Sequence, residues 1–489
     1  MRKTIAFGLG LAYAVSCALG HTPLSAHPAG HDETVLPWQE ATSWPDRIVV
    51  TIDGDPSTTL TVTWRTDKSV TQTRAEIALA RPDARFDLEA VSLEAQTERL
   101  NLTKSIGEER IFDVPLNEDL PETHHHTIRF DDLQPDTLYA YRVQGAEGKW
   151  SEWFQTRTAP RTGPIRFIYL GDAQNNLDSH WPRVIREAFR TAPDARFVLH
   201  AGDMVNRGSR DLEWANWFKA GGFIHGMIPV IGVTGNHEYD WFPLPDNEIA
   251  KLLSILWRPQ FRFPLEPDLS PELQETVYAI PYSPDLDIFV LNTNIPDLSE
   301  QVEWLDRKLA ESKARWRIVT MHHPVFSSGR GRDSPERRDA LLPVLLKHEV
   351  DLVLQGHDHT YARGNIAAQQ SQEAQAPARQ AATNGEEITS MFVNSVSGSK
   401  MYPFNDDGWD SYAPTGVKLD RKGENTQFFQ VITIEDGNLV YAAYTSDGEI
   451  YDRFELEKGE DGRKTLSNTP DLPEQRLFGN TLPYTQLKE

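Results

Sequence analysis

Cysteine is nearly absent: among 489 residues only Cys17 occurs, inside the first twenty. That excludes an internal disulfide framework and a thiolate metal site, so stability must come from packing or from bound metal. Long apolar runs are equally scarce. The start, MRKTIAFGLGLAYAVSCALGHTP, has a basic head and then an apolar stretch ending in small residues. It reads as a secretory signal over residues 1–20 and not as a membrane span, with cleavage after Ala18-Leu19-Gly20. In the alternative reading AVSC is a lipobox and Cys17 becomes a lipidated N-terminus. Leucine is missing three residues before Cys17, which favours plain export to the periplasm or the outside. No later segment is long and apolar enough to form a transmembrane span. Positive charge is the third shortage, with 49 Lys and Arg against 72 Asp and Glu, a balance of −23. Such a surface repels nucleic acid and anionic lipid as bulk partners, yet a local cationic site can still take a small phosphate ester.

What is present is enough for two cores: 39% hydrophobic residues and 13 tryptophans in a chain too long for one. Residues 21–37 are rich in Pro, His and Ala and read as a linker, in which His21, His27 and His31 either capture metal or, the favoured reading, stand in water. From 38 to 158 the pattern is β. TLTVTWRTD alternates, with Leu60, Val62 and Trp64 on one face and Thr59, Thr61 and Thr63 on the other. LQPDTLYAYRV puts Tyr139, Tyr141 and Val143 on one face behind a proline turn, as in the tyrosine corner of a β-sandwich. His124-His125-His126 cannot form a metal cluster in one extended strand, because successive side chains point to opposite faces. A solvated edge is the expected setting.

At 165 the rhythm changes to apolar strands alternating with helical patterns, an α/β layered domain over 165–455. Ser299 is the expected N-cap of the helix SEQVEWLDRKLAES, with Glu300 in its first turn. Residues 367–388, rich in Gln and Ala, read as a surface insertion. Hairpins are expected at Asp436-Gly437 and Asp447-Gly448, and a polar tail over 456–489.

Five strand ends carry ligand-type residues: GDAQ with Asp172, GDMVNRG with Asp203, GNHE with Asn236 and His237, MHHP with His322 and His323, and GHDH with His357 and His359. Any one of them is weak evidence, since Gly-Asp at a strand end is commonly a turn. Five in this order, mixing carboxylate, amide and imidazole, point to two metal ions drawn from iron, zinc and manganese. One carboxylate can bridge two cations about 3.5–4 Å apart, the spacing that activates water and clamps a transferring phosphoryl group.

This order of motifs resembles the calcineurin-like metallophosphoesterase superfamily, and PDRIVVTIDGDPSTTLTVTWRTD resembles the N-terminal fibronectin-type domain of purple acid phosphatases. The resemblance covers roughly residues 38–455. It implies an α/β domain of four layers (αββα) behind an all-β fibronectin- or Ig-like sandwich. It implies that Asp172 and His359 bind one metal, that Asn236, His322 and His357 complete the other, and that Asp203 bridges both. His322 is preferred to His323 because the family pattern is His-x-Pro; His323 then orients or packs. His237 follows Asn236 as in the family's Gly-Asn-His, where the histidine contacts substrate phosphate and steadies the leaving oxygen. The implied reaction is in-line attack on phosphorus of a phosphate monoester by a metal-bound hydroxide.

The chain also departs from that pattern. Purple acid phosphatases place a tyrosine three residues after the bridging aspartate, where this chain has Asn206. Without that phenolate, divalent pairs gain over ferric iron and a strong colour is not expected. Gln174 stands where many relatives carry histidine, and both Gln174 and Asn206 either ligate metal or hydrogen-bond its ligands. The histidine pair that plant-type relatives carry after His-x-Pro is replaced by FSSGRGRDSPERR. There Arg330 and Arg332 either clamp phosphate or form a solvated basic loop. His180, His200, His225 and His348 have structural defaults. Two other functions compete: a phosphodiesterase or nucleotide hydrolase using the same metals, and a catalytically silent binding or adhesion module.

Overall fold

The computed structural model describes residues 35–106, 110–113, 122–244, 248–368 and 385–477. The expected leader, Cys17, the three linker histidines and most of the 367–388 insertion lie outside the described residues.

Period-2 alternation builds the N-terminal sandwich. Leu60–Asp67 pairs antiparallel with Asp46–Thr51 on one side and Thr123–Phe130 on the other, and Gln96–Arg99 pairs beyond the latter. The facing sheet runs Phe154–Arg157, Leu138–Val143, Arg74–Leu79, Val91–Glu94. Val62, Trp64 and Ile128 from the first sheet meet Ile77, Tyr141 and Val143 from the second in one apolar core. The tyrosine corner is present: Tyr139 Oη accepts the Gln134 N–H at 2.9 Å.

The triple histidine departs from expectation. Thr123–Phe130 is an interior strand, paired on both sides, and His125 and His126 are buried. The alternation itself holds. His126 points into the sandwich between the hydroxyls of Thr66 and Thr97, at 2.7 and 2.9 Å, while His125 points the other way, into the electrostatic field of Arg65 and Arg47. The threonine face of Leu60–Asp67 is buried on that same side, where Thr63 Oγ1 donates to the Gln260 carbonyl at 2.5 Å.

The larger domain has two sheets face to face. In one, Ile165–Leu170, Val198–His200 and Val230–Gly232 are parallel, and Ile165–Leu170 pairs antiparallel with Phe428–Glu435, which opens the hairpin array of the C-terminal part. The turns of that array fall at Asp436-Gly437 and Asp447-Gly448 as expected. In the other, Leu286–Val290, Trp316–Thr320, Leu352–Gln355 and Glu386–Asn394 are parallel, with antiparallel strands at both edges. Alternate residues of these strands divide between two cores. Ile318, Leu352 and Leu354 join the cluster shared with the first sheet, whereas Val319 and Val353 pack with Trp304, Leu305 and Leu345 of the helices Ser299–Glu311 and Pro335–Lys347. Trp181–Thr191 and Asp211–Gly221 cover the first sheet, which completes the α/β/β/α order.

Ser299 is the first helical residue and not the N-cap; its N–H is taken by Asp297 Oδ1 at 2.9 Å. Glu300 lies in the first turn as expected and accepts the Ser270 N–H at 2.6 Å. Residues 464–468 form a further strand, paired with Ile450–Lys458 and with Glu386–Ile388.

Candidate metal centre

Parallel strands deliver their C-terminal ends to a common edge. Here the turns after Leu170, His200, Gly232, Thr320 and Gln355 converge, and all six expected ligands meet. His359 Nε2 lies 3.0 Å from Asp172 Oδ2. His322 Nε2 lies 3.2 Å from each of Asp203 Oδ2, Asn236 Oδ1 and His357 Nδ1. Asp172, Asp203 and His322 form one group able to hold a metal, and His322, His323 and His357 form a second.

The outer atoms of these ligands are tied to the fold, which aims the inner ones. His322 Nδ1 donates to the Ala201 carbonyl and His359 Nδ1 to the Lys400 carbonyl, at 2.8 and 2.7 Å. Since a carbonyl only accepts, Nδ1 carries the proton in the neutral ring and Nε2 turns its lone pair to the centre, where a cation must displace any second proton. Asp203 Oδ1 accepts the His237 N–H at 2.9 Å, leaving Oδ2 toward the other ligands. Asp203, His357 and His359 sit in the left-handed backbone region, with φ of 49°, 75° and 51°. The loops must also pass very close: a Cβ on Gly235 would collide with Asp203 Oδ1, and one on Gly356 with Asp172 Oδ1.

The donor set fits cations. Asp172 Oδ2 and Gln174 Oε1 are buried acceptor atoms at the centre without a hydrogen-bond partner, a state that a cation would relieve. Burial opposes charge on both Asp203 and His322. The Asp203–His322 attraction, with Asp172 adding to it, outweighs this and raises the imidazole to about 9 while holding the Asp203 carboxyl below its usual range.

Gln174 Nε2 donates to Asp203 Oδ2 at 3.2 Å and faces His359 Nε2 at 2.9 Å, so it braces two ligands. The Asn206 backbone carbonyl accepts from His237 Nδ1 at 2.6 Å, which leaves His237 Nε2 free, 3.9 Å from Asp203 Oδ2. His323 Nδ1 bonds the Thr293 hydroxyl at 2.8 Å, and its ring centre lies 4.2 Å from that of His357. The two arginines part company. Arg330 turns outward to Asp406, whereas Arg332 reaches the site, with Nη2 2.6 Å from His357 Nε2 and the guanidinium 4.6 Å from the Tyr402 ring centre. His200 is sandwiched between Trp181 and Trp217, His225 stacks on Trp217, His348 pairs with Asp306, and His180 is exposed.

Two positioning carboxylates escaped the motif reading. Glu238 accepts the N–H groups of Asp203, Met204 and Gly235, at 2.8, 2.8 and 2.7 Å, and so welds two ligand loops together. Asp358, between two ligand histidines, accepts the N–H groups of Ser328 and Gly329 at 2.5 and 3.0 Å. Both stand inside the quoted motifs, GNHE and GHDH, and their position there was the available signal.

Residues 165–361 match the calcineurin-like phosphoesterase family, so the chain carries that metallophosphoesterase domain. Ahead of it, residues 45–158 match the purple acid phosphatase N-terminal domain. Purple acid phosphatase 21 of Arabidopsis thaliana is 27% identical over 248 residues, 49% of this chain and 53% of the relative. The Fe(3+)-Zn(2+) purple acid phosphatase 12 of the same plant is 26% identical over 254 residues, 49% and 52% of the two chains. The chain thus spans about half the length of the curated relatives it matches. The solved purple acid phosphatase of yellow lupin seeds (Lupinus luteus) shares the fold at a TM-score of 0.63 with 19% identity, covering 86% of this chain and 75% of that one. Among the described residues no helix is long and apolar enough to cross a membrane.

Proposed function

We propose that this protein is an exported phosphatase that holds two metal ions and hydrolyses small phosphate monoesters. The observation that carries the reading is the convergence of Asp172, Asp203, Asn236, His322, His357 and His359 around acceptor atoms that no protein donor satisfies. Asp172 and His359 would hold one ion, Asn236, His322 and His357 the other, and Asp203 both. Once bound, two such ions polarise phosphoryl oxygens and acidify water.

The chain supplies the rest. Gln174 keeps Asp203 and His359 in register, and Glu238 fixes the Asp203 and Asn236 loops. His237, with its Nδ1 proton committed to the Asn206 carbonyl, presents Nε2 to the same space, where only the imidazolium has a second proton for the leaving oxygen; burial opposes that form and the Asp203 carboxylate favours it. The donor chemistry admits iron, zinc or manganese, and the Asn206 side chain offers no phenolate to favour ferric iron.

Metal analysis of protein purified without chelator, beside turnover of phenyl phosphate and its bis-ester, tests this. About two ions per chain and faster monoester turnover are expected. Preference for the bis-ester would assign a diesterase. Absence of metal and of turnover after loading with iron, zinc or manganese would leave a silent module.

A further inference from the structure

A sixth strand end reaches the ligand loops without contributing an expected ligand. Leu286–Val290 runs into Leu291-Asn292-Thr293-Asn294. Asn294 Nδ2 donates to the Thr234 carbonyl at 2.7 Å, two residues before Asn236, and the Thr293 hydroxyl holds His323, next to His322. The same tip carries two cations. Lys251 Nζ donates to Asn294 Oδ1, and Arg337 Nε to the Thr293 carbonyl, each at 3.1 Å.

Lys251 stands opposite Trp241 in the hairpin Tyr239–Pro243/Ile249–Leu253, which begins three residues after Asn236. Its ammonium is 5.1 Å from the ring centre of Tyr239 and 5.3 Å from that of Trp241, whose indole is 59% exposed. Lys251 and Arg337 are both half-buried, and among the described residues neither has a carboxylate at ion-pair distance; the ion pairs of this region go instead to Arg258, Arg332 and Arg338. Burial lowers Lys251 to about 8, while the Asp203 carboxylate opposes that fall. In a chain with 72 acidic and 49 basic groups, two half-buried cations without an ion-pair partner among the described residues stand ready for the anionic group of a ligand. Each has donors to spare, since Lys251 commits one to Asn294 and Arg337 uses Nε and Nη1 on Thr293 and Ser334.

We propose that Lys251 and Arg337, set on the Asn292–Asn294 tip and walled by Trp241, form a leaving-group subsite that selects phosphate esters bearing a second anionic group beside the scissile phosphate. The subsite deepens the phosphatase reading and rests on it. Arg330 pairs outward with Asp406, so the cations at this edge are Arg332 from its own loop, Lys251 from the hairpin and Arg337 from the first turn of Pro335–Lys347.

The test compares phenyl phosphate with its meta-carboxylated analogue on metal-loaded wild type, Lys251→Met and Arg337→Gln. Wild type is expected to favour the carboxylated ester in kcat/KM, and each variant to cut that preference by about tenfold. No preference in wild type, or variants that slow both esters in equal proportion, would overturn the subsite while leaving the phosphatase intact. If wild type turns over neither ester, the phosphatase reading falls. The matching phosphonates, which cannot be hydrolysed, are then titrated calorimetrically into the same proteins. Loss of the Kd preference in the variants upholds the subsite, and equal Kd values overturn it.

Discussion

Asp203 meets several demands at once. Its Oδ1 takes the His237 N–H, its Oδ2 faces His322 and Gln174, and its own N–H is held by Glu238. Asp203→Ala is expected to remove both metals and turnover together, read by metal analysis; a variant with normal metal content would contradict the bridging role. Glu238→Gln keeps the shape but puts an amide N–H against backbone donors. Metal affinity should fall about 10- to 100-fold by chelator competition with the fold retained. Asn206 has a spectroscopic consequence. Its side chain lacks a phenolate and its carbonyl serves His237, so the metal-loaded protein should show no strong visible absorption band. A band abolished by Tyr402→Phe, the tyrosine whose ring centre is 4.6 Å from that of His359, would refute this. Residue identities were the most legible part of the sequence, because ligand chemistry is restricted to a few side chains. The braces Glu238 and Asp358 were hidden, since a carboxylate that accepts backbone N–H groups looks like any other.

At the scale of elements, the sequence showed where strands end and not what lies beside them. The histidine strand alternates as read, yet it is interior because Gln96–Arg99 pairs with it, a neighbour that nothing local to His124-His125-His126 announces. The side chain of Arg47, from the first strand of the sandwich, likewise crosses to the helix Asp211–Gly221. Arg47 Nη2 meets Asp211 Oδ2 at 2.7 Å and Arg65 Nη1 meets the same oxygen at 3.0 Å. Burial pushes the Asp211 carboxyl up, but Arg47 and then Arg65 outweigh it and hold it below its usual value. The stabilisation is therefore complete above the ordinary carboxylate pKa and is lost as pH falls through the lower, folded value. Asp211→Asn should cost about 3–5 kcal/mol near neutral pH by guanidinium unfolding, because two buried cations lose their partner. The gap to wild type should narrow toward strong acid, where wild-type Asp211 is protonated too. A gap that does not depend on pH would rule out this ionic account.

For the whole molecule, an all-β part followed by an α/β part was legible as a change of rhythm along the sequence. The double sheet was implied only by resemblance, because face-to-face packing of two sheets leaves no local signature. Strand pairing links the parts: Thr51 of the sandwich pairs in parallel with Val230, whose strand ends in the Asn236 turn. Domains joined by a strand pairing and a buried ionic triad should unfold together, as one calorimetric transition.

The left-handed backbone at Asp203, His357 and His359 bears on how such a protein changes over generations. Non-glycine residues held there cost of order 1–3 kcal/mol each. His359→Gly should therefore raise the Tm of the metal-free protein while weakening its hold on metal, and a lowered Tm would speak against stored strain. A lineage released from selection on catalysis would find stabilising substitutions first at its own ligands. Silent descendants of this fold should then be sturdier than their active ancestors, having lost the centre by relaxation more than by decay.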